Sequence, residues 1–156
     1  MEAVTSSKWD IKSQSVQPKE YANRLVKELQ QFSIGLAQTE LASPDTIETV
    51  WTGAIAATLN MLIEAYSRVR KCSIAGRSQM QMDVDTLTTS ISALPNVPAT
   101  LPRADALRAF IQAYYIPEED ILDWANANTV RARRFGGWRL WLMRRGGGGL
   151  GGGKHV

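Results

Sequence analysis

Apolar residues in this chain recur in steps of three and four through four stretches, and no stretch alternates in steps of two as a strand would. From Pro18 onward, Ala22, Leu25, Leu29, Phe32 and Leu36 form a narrow stripe, which predicts a helix that ends between Gln38 and Ala42. Ser43-Pro44-Asp45 then combines a capping hydroxyl, a proline suited to a first turn and an acid near the positive end of the helix dipole. The helix it starts carries Ile47, Trp51, Ala54, Ile55, Leu59, Leu62, Ala65 and Val69, with Ala56, Ala57, Met61 and Ile63 on its other faces. Apolar over so much of its girth, it reads as the central helix of a bundle. A third run, Met80, Val84, Leu87, Ile91 and Leu94, follows Gly76. That glycine allows a helix C-cap, a kink or a close approach of two backbones.

Prolines 95, 98 and 102 interrupt the pattern and stiffen a connector. A fourth stripe, Leu107, Phe110, Ile111 and Tyr114, resumes behind it. Pro117 breaks that helix, and Glu118, Glu119 and Asp120 place acids in the first turn of a short one bearing Ile121, Leu122, Trp124 and Ala125. The pattern therefore predicts an all-α chain: an antiparallel helical bundle, or a segment of a helical rod, over residues 17–128. Residues 1–16 are polar, with Trp9 and Ile11 as anchors, and read as a flexible N-terminal segment.

Charge changes this picture at one end only. The net charge is +3, but residues 131–156 hold seven of the 18 Lys and Arg and none of the 15 acids, so the body is mildly acidic. The same 26 residues hold nine of the twelve glycines. Residues 129–156 thus read as an Arg/Gly-rich disordered tail, and the basic balance is not a nucleic-acid footprint of the fold. The tail's Arg131 to Arg145, interleaved with Phe135, Trp138 and Trp141, supports an alternative function: binding nucleic acid or a membrane surface through residues 131–145. One cysteine, no apolar signal segment and no apolar run near the ~20 residues that span a bilayer fit a cytoplasmic protein with at most peripheral membrane contact.

Catalytic chemistry finds no constellation. Cys72 and His155 are the one cysteine and the one histidine, too few for a zinc site, and the histidine sits in the glycine tail, away from a nucleophile. Glu118, Glu119 and Asp120 read as solvated dipole caps rather than metal ligands. Gly151-Gly152-Gly153-Lys154 lacks the Ser/Thr, strand and helix of a phosphate loop. The expectation is a non-enzyme with no catalytic, cofactor-binding or metal-binding residues, no cofactor and no small-molecule substrate. Arg70, Lys71 and Arg77 are the candidate partner-binding residues. Met80, Leu87, Phe110, Tyr114 and Trp124 are assigned to the core, with the Tyr114-Tyr115 pair offering a docking anchor instead.

Two blocks carry a more specific signal. Arg70-Lys71-Cys72-Ser73 with Gly76-Arg77 and Met80-Gln81-Met82-Asp83, then Phe110-Ile111-Gln112-Ala113-Tyr114-Tyr115 through Glu118-Glu119-Asp120 to Trp124, resemble the C-terminal region of the syndetin family. The resemblance marks Cys72, Ser73, Gly76, Met80, Gln81, Asp83, Ala113, Tyr114, Tyr115 and Trp124 as family-motif positions. Ala75 departs from the acid the family places before Gly-Arg, and the Arg/Gly tail departs from the helical sequence it places after Trp124. The resemblance implies a piece of a longer vesicle-tethering subunit of the endosome-associated recycling complex. Its implied partners are other tethering-complex subunits and SNARE proteins, with peripheral association at recycling endosomes or trans-Golgi membranes and nucleic acid disfavoured.

Overall fold

The computed structural model describes residues 2–39, 43–69, 71–117, 119–120 and 123–124. Among them lie five helices and no strand: α1 Glu2–Thr5, α2 Glu20–Ala37, α3 Pro44–Ser67, α4 Ile74–Ser92 and α5 Ala104–Ala113. The all-α bundle expected from the hydrophobic period is the fold observed. The Arg/Gly-rich tail, residues 118, 121 and 122 of the acidic turn, and Arg70 lie outside the described residues.

The starts of the three long helices have identifiable physical causes. Ser43 caps α3 as the sequence pattern requires, its hydroxyl accepting from the Thr46 amide at 3.3 Å with Pro44 in the first turn. Ser73 caps α4 in the same way, accepting from the Gly76 amide at 3.1 Å. α3 and α4 are therefore separate helices, parted between Ser67 and Ile74. α2 begins at Glu20, two residues after Pro18, and its N-cap Lys19 has no side-chain cap. The Lys19 amide donates instead to Asp83 Oδ1 of α4 at 2.9 Å, so a tertiary contact starts this helix.

α2 and α5 each pack on both α3 and α4, and α1 rests on α3. Tyr21 meets Tyr66 and Phe32 stacks on Trp51, so α2 and α3 run antiparallel. Arg77 meets Tyr115 and Thr88 meets Arg108, so α4 and the α5 segment run antiparallel too. One core joins them: Trp51, Ile55, Leu59, Leu62 and Tyr66 from α3, Met80, Val84, Leu87 and Ile91 from α4, and Leu107, Phe110 and Ile111 from α5. Leu94, Val97 and Leu101 of the proline connector pack against it. Phe32 is less buried than the stripe predicts, 44% exposed while one face stacks on Trp51.

The N-terminal segment corrects the sequence expectation. Residues 1–16 were to be a flexible lead-in, yet Val4 and Trp9 are 1% and 2% exposed and belong to the core. The signal is short: one turn of helix brings Val4 to α3, and its carbonyl accepts from Trp9 Nε1 at 2.9 Å. A four-residue helix leaves too little periodicity to recognise.

Phe110 is fully buried and edge-on to Tyr114, with ring centroids 5.7 Å apart. Phe110→Ala removes a large side chain from this shared core and is expected to cost about 3–5 kcal/mol in urea denaturation. A loss within error of zero would place α5 outside the cooperative unit.

Candidate functional site

Between α1 and α2 the chain crosses the face of α4 as a non-helical strap, residues 9–19, and side chains at the start and along α4 hold the strap's backbone. Ser73 comes first. Its amide donates to the Trp9 carbonyl at 3.1 Å, and its hydroxyl donates to the Ile11 carbonyl at 2.7 Å. The same hydroxyl accepts from the Ile11 and Gly76 amides, each at 3.1 Å. A serine hydroxyl has one proton and two lone pairs, so Ser73 is saturated.

Gly76 settles the three alternatives open at this position. A Cβ there would overlap the Trp9 carbonyl and come within 3.1 Å of Cys72 Sγ. The residue is needed for close approach of the strap to the first turn of α4, not for a kink or a C-cap. Trp9 is then fixed edge-on to Tyr21 and Tyr66, with Lys19 Nζ 4.4 Å from its ring centroid.

One and a half turns further along α4, Gln79 takes the Ser15 amide on Oε1 at 2.8 Å. It donates Nε2 to the Gln17 carbonyl at 3.1 Å and to Asp83 Oδ1 at 2.9 Å. Asp83 completes the row. Its Oδ1 receives the Lys19 amide, and its Oδ2 receives the Tyr21 hydroxyl at 2.8 Å. Since Tyr21 spends its proton on the carboxylate, Tyr66 donates to Tyr21 in the hydroxyl pair, and Tyr114 donates to the Tyr66 carbonyl at 2.7 Å.

Asp83 and Gln79 are each 1% exposed, and among the described residues Asp83 forms no ion pair. Burial pushes the Tyr21 hydroxyl far above the ordinary tyrosine range, with the nearby Tyr66 and Asp83 adding to it. Burial raises Tyr66 as well, opposed by its hydrogen bond to Tyr21. Both phenols are held neutral.

The expected site residues scatter. Among the candidate partner-binding residues, Arg70 lies outside the described residues, Lys71 is exposed, and Arg77 lays its guanidinium 5.9 Å from the Tyr115 ring centroid. Arg77 is half-buried. Of the motif positions, Ser73, Gly76 and Asp83 come together at the strap, while Met80, Ala113 and Tyr114 are core. Cys72 and Trp124 pack partly against the core, and Gln81 pairs with exposed Asp85 at 3.0 Å. Tyr115 is 46% exposed, parting it from its neighbour Tyr114.

Gln79, Tyr21 and Tyr66 were missed, because a hydrophobic period passes over polar residues on the buried face. Ser73, Gly76, Gln79 and Asp83 do repeat at helical spacing, a signal visible only if polar and apolar positions are read together. The described residues contain no group of three His, Cys, Asp or Glu that could hold a metal. What the arrangement does chemically is bind one backbone to one helix.

Tyr21→Phe leaves one oxygen of a buried carboxylate and the Tyr66 proton without a partner, an expected loss of about 1–3 kcal/mol. The neutral phenols also set a pH limit. Their folded pKa values lie above the unfolded 10.0, so stability is fully present below that pH and is lost as it rises beyond. Denaturation midpoints at pH 7 to 11 should therefore fall above 10 in the native chain and fall less steeply in Tyr21→Phe. Equal slopes would contradict this placement of Tyr21.

A family model described as "Syndetin, C-terminal" matches residues 1–135. Syndetin of Rattus norvegicus is 29% identical over 124 residues, 78% of this chain and 13% of that protein. Syndetin of Mus musculus is 29% identical over 120 residues, covering 75% and 12%, and that of Gallus gallus is 28% identical over 124, covering 78% and 13%. The chain thus spans about one eighth of the length of these relatives. No solved structure matches it. The family match begins at residue 1 and takes in the strap, α4 and the Phe110–Trp124 block, and the chain belongs to the syndetin C-terminal family.

Proposed function

We propose that the chain is the helical C-terminal module of a vesicle-tethering subunit, acting through protein–protein contacts and not as an enzyme. The family match over residues 1–135 carries this reading. The internal geometry supports it, since Ser73, Gln79, Asp83, Tyr21 and Tyr66 spend their polar atoms on one another and on the strap.

The partners proposed are other subunits of an endosome-associated recycling complex and endosomal SNARE proteins. The setting is endocytic recycling and retrograde transport, with peripheral association at recycling endosomes or the trans-Golgi. No helix among the described residues is long and apolar enough to cross a membrane. Lys71 and Arg77, with Arg70 beside them in sequence, are proposed as recognition residues for an acidic partner face. Arg77 brings the exposed Tyr115 ring to the same surface.

Affinity capture with the full chain from cytosol tests the reading. Tethering subunits or endosomal SNAREs should be recovered, and the double variant Lys71→Glu/Arg77→Glu should lower recovery at least about tenfold while helical content is kept. Recovery of ribonucleoproteins only, lost on deletion of residues 131–156, would overturn it in favour of the tail.

A further inference from the structure

The stretch Arg70-Lys71-Cys72-Ser73-Ile74 is only partly absorbed by the strap contacts. It places a guanidinium three residues and an ammonium two residues before a serine, and an apolar residue directly after it. Kinases that select substrates by charge read such upstream bases with acidic pockets. Lys71 is exposed and Ile74 is 77% exposed, although it opens α4 and could have been polar. Ser73 itself is extended, with φ −73° and ψ 171°, and residues 71–73 are not helical. Residues 71–73 therefore need no unwinding for an extended approach to the hydroxyl.

We propose that Ser73 is a phosphate acceptor for an ATP-dependent, base-directed serine kinase, and that phosphate there displaces the strap at Trp9–Ile11 from α4. In the transfer, Ser73 Oγ attacks the γ-phosphorus of ATP. The Oγ–P bond forms, the bond from that phosphorus to the β–γ bridging oxygen breaks, and ADP leaves. The hydroxyl proton passes to the kinase's catalytic carboxylate.

The strap makes this a two-way gate. With the strap closed, Ser73 Oγ is saturated by Ile11 and Gly76, so the kinase reaches it only when Trp9–Ile11 has lifted. Once in place, a phosphate brings about −1.5 to −2 charge and acceptor oxygens. The Ile11 carbonyl, 2.7 Å from Oγ, then faces acceptors where it had a donor, and the Trp9 carbonyl, 3.3 Å away, is brought against the same negative charge. The α4 side is different. The phosphate sits at the helix N-cap beside the Gly76 amide, where the dipole favours negative charge. Modification thus expels the strap and keeps the helix. This inference is independent of the tethering reading.

The test incubates the full chain with ATP and the catalytic subunit of the cyclic-AMP-dependent kinase, with the site located by tandem mass spectrometry. Ser73 should carry the phosphate, at a rate that falls about tenfold or more in Arg70→Ala/Lys71→Ala and rises in Trp9→Ala, whose strap is loosened. Should Trp9→Ala fail to fold, Ile11→Pro serves the same end by deleting the amide that Ser73 accepts. In the phosphorylated chain, trypsin should cut after exposed Lys12 about tenfold faster or more, the change expected from losing two ordinary hydrogen bonds, with helical circular dichroism unchanged. Phosphate only at other residues, or Ser73 phosphate with unchanged cleavage at Lys12, would overturn the proposal.

Discussion

The carboxylate of Asp83 is buried in the core of a small helical protein and compensated by three hydrogen bonds, two from the start of α2 and one from its own helix. Lys19 donates from the start of α2, Gln79 from the preceding turn of α4, and Tyr21 from the first turn of α2. Hydrogen bonds to a charged acceptor are about twice as strong as neutral ones, and an unpaired buried charge is correspondingly costly. α2 has no cap of its own, so its register on α4 follows from this residue. The strap follows in turn, because Gln79 and Ser73 hold its backbone further toward the start of α4, and Trp9 is delivered against Gly76. The start of α2 and the strap are thereby tied to one face of α4.

What the sequence disclosed follows from which forces are periodic. The three long helices, the Ser43 cap and the Phe110 stripe were legible because apolar burial repeats every three to four residues and capping chemistry is local. The strap was not, because its bonds join residues about 62 to 64 positions apart and most of its side chains after Trp9 are exposed and follow no period. Trp9 was visible as an anchor, but Val4 was not. Gly76 shows the limit well: its sequence context allows three roles, and the Trp9 carbonyl decides among them. Tyr115 shows the converse. A repeated aromatic pair suggested one role for both residues, yet adjacent positions on a helix end point to different surroundings, one core and one solvent.

The family signature around residues 70–83 gains a physical content from this arrangement. Ser73, Gly76 and Asp83 are spaced along α4 because each meets the strap at a different point, and the intervening Met80 packs into the core beneath. Resemblance identified the stretch, and the hydrogen bonds explain why those residue types serve there. The proposed recognition residues stand apart from these contacts: Lys71 is exposed, and Arg77 lies against the half-exposed Tyr115 ring.

Native-state amide exchange read residue by residue tests the central constraint most directly. If side chains of α4 hold the strap, the amides of Ile11, Ser15 and Lys19 are protected to a degree approaching the interior of α4, although they lie in no helix or strand. Substituting Asp83→Asn, which keeps the shape and removes the charge, should lower the protection of Lys19 first. Exchange of all three amides at the rate of an unstructured peptide, with α4 still protected, would contradict the account.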